Sequence, residues 1–428
     1  MRSITRHTEL LTAGVAFTAE NLEKCLGAQE PVAGLVIGAV SNSDTEYRRE
    51  QLLSADPEGI TAGLKAYAVL TGAKGALIIR REEACGGDEA LKQAAEAAGL
   101  ALQIETGDMV LRTDHREDRH IPLDELYRAA EILSGEEPGI LLAVEDGPLT
   151  EADPQEPVAE ILQAFCGTST ESAGAEETAA GMKAVLADHT FIPAAEILEM
   201  KAADLPARSG VLRIVPDTDC MVDRAVRELQ VLRAKSCGRC TYCREGLVQL
   251  SGRVGQVQKG LAKGPEMPLA KEIAEAMRIS YHCELGEDAP MPVLSLLEKF
   301  QDEVQAHIRK KECPAGVCKA YLNYYIDPSA CAGNGACKAV CPADAIELKA
   351  GYTSLIDAFA CTRCGACVKA CPEGAIRFIA GKVPRNAENP VRLKKAASAA
   401  AASDEGGAEE APARERSGKR KRTFAKAK

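Results

Sequence analysis

A chain of 428 residues with a formal net charge of −11 has the length for several domains, each with its own core. It is 46% hydrophobic and 27% charged, with no apolar run of bilayer-spanning length and no signal-peptide pattern at its start. Direct membrane insertion is thereby excluded and a cytoplasmic location expected. Aromatic residues at 4% argue against nucleic acid as a partner, as does an acidic body: residues 381–428 sum to +7, which leaves −18 on the rest.

Residues 33–105 alternate short apolar runs with helical patterns. Leu35-Val36-Ile37 and Gly75 to Arg80 read as buried strands, and Ile60, Leu64, Tyr67 and Ala68 fall on one helix face between them. A second helix is predicted over Asp88 to Gly99, closed by glycine, followed by a strand over Leu100 to Ile104. The pattern is an α/β layer with crossover helices. Further on, Arg112 to His120 reads as a solvated charged loop, with His115 and His120 as surface residues. Gly139 to Val144 is a strand, Val158 to Phe165 a short helix, and Thr168 to Ala180 a flexible loop. Cys25, Cys85 and Cys166 stand alone, without metal-ligand spacing.

The cysteines concentrate later: of 17, 13 lie between Cys237 and Cys371, and a fourteenth is Cys220. Paired C-x2-C runs at that density point to metal in a reducing compartment. A helix is expected after Pro216, capped by Asp217, Thr218 or Asp219, with Val222, Val226 and Leu229 on its inner face. Then come Cys237, Cys240 and Cys243, at C-x2-C-x2-C spacing, and Cys283 after 39 intervening residues. Three ligands from a tight loop and one from elsewhere suit a cubic iron–sulfur cluster; structural zinc more often takes two and two. Gly238 and Gly246 are expected to let the backbone curl around the sulfides, and Arg239 and Arg244 to offset their charge. Helices over Gly246 to Val257 and Pro268 to Ile279, and a long one from Val293 to about Lys310, complete a four-helix bundle. His307, Cys313 and Cys318 fit no further cubane. With Cys220 they make either a Cys3His zinc site or a set of reduced thiols beside a packed histidine.

Residues 319–380 contain an internal repeat with the spacing of a bacterial two-cluster ferredoxin. The second half reads Cys361-x2-Cys364-x2-Cys367-x3-Cys371-Pro372, the first Cys331-x2-Asn334-x2-Cys337-x3-Cys341-Pro342. In such runs the fourth cysteine ligates the other cluster. One [4Fe-4S] cluster is therefore expected on Cys361, Cys364, Cys367 and Cys341. The other, on Cys331, Cys337 and Cys371 with Asn334 in place of a thiolate, should be a [3Fe-4S] or a non-thiolate-ligated [4Fe-4S] cluster. After Gly381 the composition turns to Ala, Ser, Glu and Gly with a basic end, and a disordered tail is expected.

Cys283-Glu284-Leu285-Gly286 and Pro290-Met291-Pro292-Val293-Leu294, with Cys220-Met221-Val222-Asp223 upstream, carry a resemblance. They resemble the cluster-bearing domain of the NADH-oxidising flavoprotein (F-type) subunit of respiratory complex I. They also resemble the diaphorase subunits of multimeric NAD(P)-linked iron hydrogenases, which continue into a ferredoxin-like domain as this chain does. The resemblance runs over residues 33–375, helped at its start by Leu53-Ser54-Ala55-Asp56-Pro57. It implies a multidomain chain, α/β plus α+β. Residues 1–135 would be a Rossmann-like flavoprotein-type layer, 136–215 a β-grasp (SLBB-like) domain, 216–312 the helical cluster bundle and 313–380 the two-cluster ferredoxin domain. It also favours zinc at Cys220, His307, Cys313 and Cys318.

The family's flavin chemistry is not written in the chain. Its G-x-G-G-x-G-F-P loop has no counterpart between Thr12 and Gly34. The acidic N-A-D-E-G-E-P-G loop is replaced by Ser41-Asn42-Ser43-Asp44-Thr45-Glu46-Tyr47-Arg48, without its glycines, and C-G-E-E-T-A is absent around Arg112 to His120. FMN and NAD are therefore not expected. The reading is an electron-transfer subunit, not catalytic alone. Implied partners are a two-iron ferredoxin-like subunit, a flavin- or hydrogenase-type catalytic subunit, and soluble ferredoxin. The alternatives are an active NAD(P)H-oxidising FMN diaphorase with rewritten loops and an assembly subunit whose clusters are redox-silent.

Overall fold

The computed structural model describes residues 2–11, 17–40, 43–44, 48–80, 87–107, 117–166, 181–281, 283–380 and 383–393. Asn42 and Glu46 of the acidic loop, Cys85, residues 112–116 with His115, the 168–180 loop and the tail from residue 394 lie outside them. Among the described residues no helix is long and apolar enough to cross a membrane.

A two-residue strand, β1 (Arg2–Ser3), comes first, and helix α1 (Ala19–Leu26) follows. The α/β layer is then built from β2 (Val36–Ala39), short α2 (Gln51–Ala55), α3 (Pro57–Thr71), β3 (Ala76–Arg80), α4 (Asp88–Ala98), β4 (Leu102–Thr106), β5 (Arg119–Pro122) and α5 (Leu123–Ser134). Its four strands run in the order β4-β3-β2-β5, all parallel. Continuous apolar runs suit central parallel strands covered on both faces, and every residue of β2 and β3 is buried. Helix α3 starts where Pro57 needs no amide partner and the Asp56 carboxylate accepts from the Gly59 N–H at 3.0 Å. It packs so closely on α5 that a Cβ on Gly63 would lie 2.5 Å from the Leu126 carbonyl oxygen. Two expectations shift here. The strand foreseen over Leu100–Ile104 begins at Leu102, and Arg119 and His120, foreseen in a charged loop, are paired with Val36 and Ile37.

The second sheet contains β6 (Ile140–Val144), β7 (Thr150–Ala152), β8 (Met182–Ala187), β9 (Thr190–Pro193) and β10 (Val211–Pro216), in the order β1-β7-β6-β10-β8-β9. Strands β6 and β10 pair in parallel, and the other described pairings of this sheet are antiparallel. Helices α6 (Val158–Cys166) and α7 (Ala194–Ile197) close its core through Val158, Ile161, Leu162 and Ile197. Strand β1 ties the first residues to this sheet, where Arg2 pairs with Glu151.

The bundle comprises α8 (Met221–Lys235), α9 (Thr241–Gln258), α10 (Glu266–Ile279), short α11 (Glu284–Asp288) and α12 (Met291–Lys299), around Leu229, Leu247, Leu250, Ala274 and Leu296. The long helix expected from Val293 to Lys310 is broken. After α12, Phe300 leaves helical geometry (φ −126°), and α13 (Gln301–Gln305) passes into a π-helical turn over Ala306–Lys310. The foreseen cap of α8 also differs. Cys220 takes the N-cap without a side-chain bond, and Glu303 accepts from the Met221 N–H at 2.9 Å, so α13 supplies the cap.

The ferredoxin-like part has β11 (Leu322–Ile326), α14 (Ala336–Ala339), β12 (Ile346–Glu347), β13 (Leu355–Ile356), α15 (Ala366–Ala370) and β14 (Ile376–Ala380). First strand pairs with last, and β12 with β13, both antiparallel. The halves reach across to one another: the Asp327 N–H donates to the Ala375 carbonyl at 2.7 Å, and the Asp357 N–H to that of Ala345 at 2.8 Å.

A buried ionisable seam joins the three larger parts. His189, in the β8–β9 turn, faces Glu228 of α8 at 3.4 Å and the Ser43 carbonyl at 3.0 Å. Burial opposes its charge, but Glu228, the Ser43 carbonyl and Asp188 outweigh that and push its pKa up from 6.5 to about 9. A group raised by folding contributes stability in full below its unfolded pKa and loses it as pH climbs through the folded one. Roughly 3–4 kcal/mol should be lost between about pH 6.5 and pH 9, at about 1.4 kcal/mol per unit. Thermal unfolding midpoints measured across that range should fall further for the wild type than for His189→Gln.

Candidate metal centres

The three-cysteine run is not a loop throughout. Cys240 is the N-cap of α9, Cys243 sits in the helix's first turn, and exposed Cys237 precedes both, next to Gly238 at φ +73°. Cys283 caps the N-terminus of α11. Burial raises the Cys243 thiol, and Cys283, Cys240 and Cys237 raise it further; burial, then Cys283 and Cys237, do the same for Cys240. These four sulfurs are therefore close enough to repel one another as anions. The Ser236 hydroxyl lies 3.5 Å from the Cys243 sulfur, and Arg244 donates to the Gly238 carbonyl at 2.9 Å, bracing the turn. Gly246 has a different task from the one foreseen. A Cβ there would come within 2.3 Å of the Met277 sulfur, so it lets α9 and α10 approach.

Behind this group, Cys220, His307, Cys313 and Cys318 are all buried, and their ligand atoms lie within 4.8 Å of one another. The Cys220 sulfur is 3.3 Å from His307 Nε2 and 3.5 Å from the Cys318 sulfur. His307 Nδ1 lies 2.8 Å from the Glu303 carbonyl, which can only accept, so Nδ1 carries a proton and Nε2 is the nitrogen that faces the sulfurs. The π-helical turn brings that ring inward. Cys313 is held far below the usual thiol range by hydrogen bonds from Cys220 and Cys318, then His307. Cys220 is pushed up by Cys313 and Cys318, and Cys318, which Cys220 lowers, is carried up to about 12 by Cys313 and burial. Zn–S bonds of about 2.3 Å put tetrahedral sulfurs about 3.8 Å apart, which fits this crowding; cubane corners are more widely spaced.

In the ferredoxin-like part, a small pocket is lined by Cys341 of the first half together with Cys361, Cys364 and Cys367 of the second, and by Tyr324, Ile346 and Ile356. Burial raises Cys367, with Cys361 adding, whereas the Ala366 N–H lowers exposed Cys364. In the other half, burial raises Cys337, and Cys331 adds to it. Cys341 accepts from the Ala345 N–H at 3.3 Å and Cys371 from the Ala375 N–H at 3.4 Å, hydrogen bonds that tune a cluster's potential. Asn334 is exposed. Its Oδ1 accepts from the Ala336 N–H at 3.1 Å, and its Nδ2 donates to both oxygens of Glu373, at 3.1 and 2.9 Å.

Sequence reasoning missed three supporting groups. Glu303 fixes both the α8 cap and the His307 tautomer, and nothing local in the sequence marks it. Glu373 was hidden because its contact spans 39 positions. The third was readable: an aspartate stands four residues before Cys331 and before Cys361. Asp327 and Asp357 each accept from the N–H two residues on, at 2.9 and 2.8 Å, and both turns close on the cysteine N–H.

Comparison with known proteins agrees with this geometry. Residues 223–307 match the family described as the NADH-ubiquinone oxidoreductase-F iron-sulfur binding region, and residues 323–372 a 4Fe-4S dicluster domain. The NADP-reducing hydrogenase subunit HndC of Solidesulfovibrio fructosivorans is 37% identical over 138 residues, 32% of this chain and 28% of that protein. The mitochondrial NADH-ubiquinone oxidoreductase 51 kDa subunit of Neurospora crassa is 34% identical over 98 residues, 23% of this chain and 20% of that protein. The matches thus span less than a third of those relatives. The crystal structure of an NAD+-reducing [NiFe]-hydrogenase in the air-oxidized state shares the mixed α/β fold, with a TM-score of 0.55 at 18% identity over 71% of this chain and 63% of that one. The resemblance read from the cysteine motifs therefore stands: this chain is similar to the F-type NADH-oxidising subunits, and a dicluster ferredoxin domain follows the shared iron–sulfur region.

Proposed function

We propose that this protein is an iron–sulfur electron-transfer subunit of a multimeric NADH dehydrogenase- or hydrogenase-like oxidoreductase, relaying single electrons between partner subunits. One observation carries the reading: Cys341 of the first half of the repeat lines one pocket with Cys361, Cys364 and Cys367 of the second, a set of cluster-ligand composition drawn from distant segments. That set, and Cys237, Cys240 and Cys243 with Cys283, would hold [4Fe-4S] clusters. Cys331, Cys337 and Cys371 would hold a third cluster, three-iron or four-iron with a donor other than thiolate. The chain supplies thiolates, burial and N–H···S bonds, which set the potentials. Its layout would be the one expected from the motifs: a flavoprotein-type layer, a β-grasp-like unit, the cluster bundle and the ferredoxin domain. Partners would be a two-iron ferredoxin-like subunit and a flavin- or hydrogenase-type catalytic subunit in the cytoplasm, with soluble ferredoxin as a further exchange partner.

The flavin-type layer would serve as a docking scaffold. Where the family's acidic glycine loop meets flavin and nicotinamide, Ser43 and Asp44 are buried instead. Ser43 is tied to His189, and the Asp44 carboxylate accepts from the Arg49 N–H at 3.3 Å. Burial pushes that carboxyl up to about 6. Such residues support the fold and leave no glycine backbone to lie against a cofactor.

The second proposed centre is zinc on Cys220, His307, Cys313 and Cys318, stapling the ferredoxin part to the bundle. Metal analysis of Cys313→Ser should show zinc lost with iron kept; zinc at trace level in the wild type would sink the proposal.

The electron-transfer reading itself is tested by anaerobic purification. Dithionite should reduce the clusters, and flavin should be far below one per chain. Stoichiometric FMN with NADH oxidation would favour the diaphorase alternative. Clusters that dithionite leaves unreduced would favour an assembly role.

A further inference from the structure

The two halves of the repeat differ at the second ligand position, and the structure shows what surrounds the difference. In the complete half Cys364 stands there, after Arg363 and before Gly365 at φ +76°, and its sulfur takes the Ala366 N–H. In the other half Asn334 stands before Gly335, also at φ +76°, and its amide oxygen takes the equivalent Ala336 N–H. The backbone is the same in both, so the site is built for a ligand. Asn334 is nevertheless not that ligand. Its neutral amide oxygen is a poor substitute for a thiolate on iron, and its nitrogen, which has no lone pair to give, points at Glu373. The two contacts fix the amide's orientation jointly, since the N–H needs the oxygen and the carboxylate needs the NH2.

Glu373 follows Cys371-Pro372 and is held by Asn334 through both carboxylate oxygens, with Oε2 also 3.9 Å from the Cys371 sulfur. It therefore lies between a cysteine of the second cluster and the corner that lacks a thiolate. We propose that the Glu373 carboxylate is the fourth donor of the cluster held by Cys331, Cys337 and Cys371, and that Asn334 is its positioning residue. A carboxylate is a good ligand for non-haem iron and carries one negative charge, as the missing thiolate would. An amide or water carries none. One oxygen can bind iron while Asn334 keeps the other. The inference rests on the reading that these three cysteines hold a cluster.

The test is anaerobic reconstitution of the full-length chain with ferrous iron and sulfide, followed by iron analysis and EPR of the oxidised protein. Wild type should hold a four-iron cluster at this site. Glu373→Gln, which keeps the shape but removes the charged donor, should lose about a quarter of that site's iron and gain the oxidised-state signal of a three-iron cluster. Asn334→Ala should move the same way to a smaller extent. Asn334→Cys combined with Glu373→Gln should restore four iron atoms and remove the signal, which separates loss of a ligand from damage to the fold. Two results would overturn the proposal: a Glu373→Gln protein indistinguishable from wild type in iron and signal, or a wild type that already shows the full three-iron signal. Wild type without any cluster at Cys331, Cys337 and Cys371 would instead overturn the reading beneath it.

Discussion

Thiolates gathered within a few ångströms repel one another, and burial makes the repulsion worse because little water is present to screen it. Cys243 is raised by its own burial and by three other cysteines, and Cys220, Cys313 and Cys318 are buried with their sulfurs and the His307 ring nitrogen within 4.8 Å of one another. The metals proposed for these sets would neutralise them without prying the elements apart, and their binding would then be coupled to folding. The ligands come from distant segments: Cys220 meets His307 across 87 positions and Cys318 across 98. The zinc proposed at that point would hold the start of α8, the end of the broken helix and the entry to the ferredoxin part in one place.

The break in that helix shows how local structure serves the site. Apolar periodicity from Val293 to Ile308 reads as one helix, and no proline or glycine interrupts it. Periodicity reports which face is buried but not how many residues each turn holds. The π-helical turn shifts His307 relative to a regular helix and lets its ring reach the sulfurs, while Glu303, one turn earlier, keeps Nδ1 protonated and caps α8. An expanded turn of this kind comes from tertiary contacts, which a single sequence does not display.

The same division explains what was legible. Cysteine spacing was the clearest signal in the chain, and the placing of Cys341 in one pocket with Cys361, Cys364 and Cys367 is compatible with the crossing that this spacing led us to expect. Strands β2 and β3 were legible because central parallel strands are apolar without alternation. The role of Gly246 was not, since a glycine beside a ligand run and a glycine beneath a helix crossing look identical in one dimension; only Met277, 31 residues on, tells them apart. Ser43 and Asp44 read as the remnant of an acidic loop, but not as part of a seam with His189, Arg49 and Glu228. That network depends on three units meeting, and none of the three contains the reason for it.

The ferredoxin part combines near-symmetry with one asymmetry. Its halves share crossed Asp–Ala hydrogen bonds, aspartate turns before the first cysteine, and an N–H···S bond to the last. Hydrogen bonding is among the factors that set a cluster's potential. The halves differ in it as well: the Arg363 N–H donates to Cys361 at 3.4 Å, and Cys337 has Ser354 beside it. They differ most plainly at the second position, where Cys364 faces Asn334 and its partner Glu373. A harder oxygen donor in place of sulfur changes how electron density is shared with the cluster without changing the chain's path. Were the two proposed clusters to differ in potential because of that corner, an electron would have a preferred direction through the domain, and a repeat with two identical halves would lose that bias.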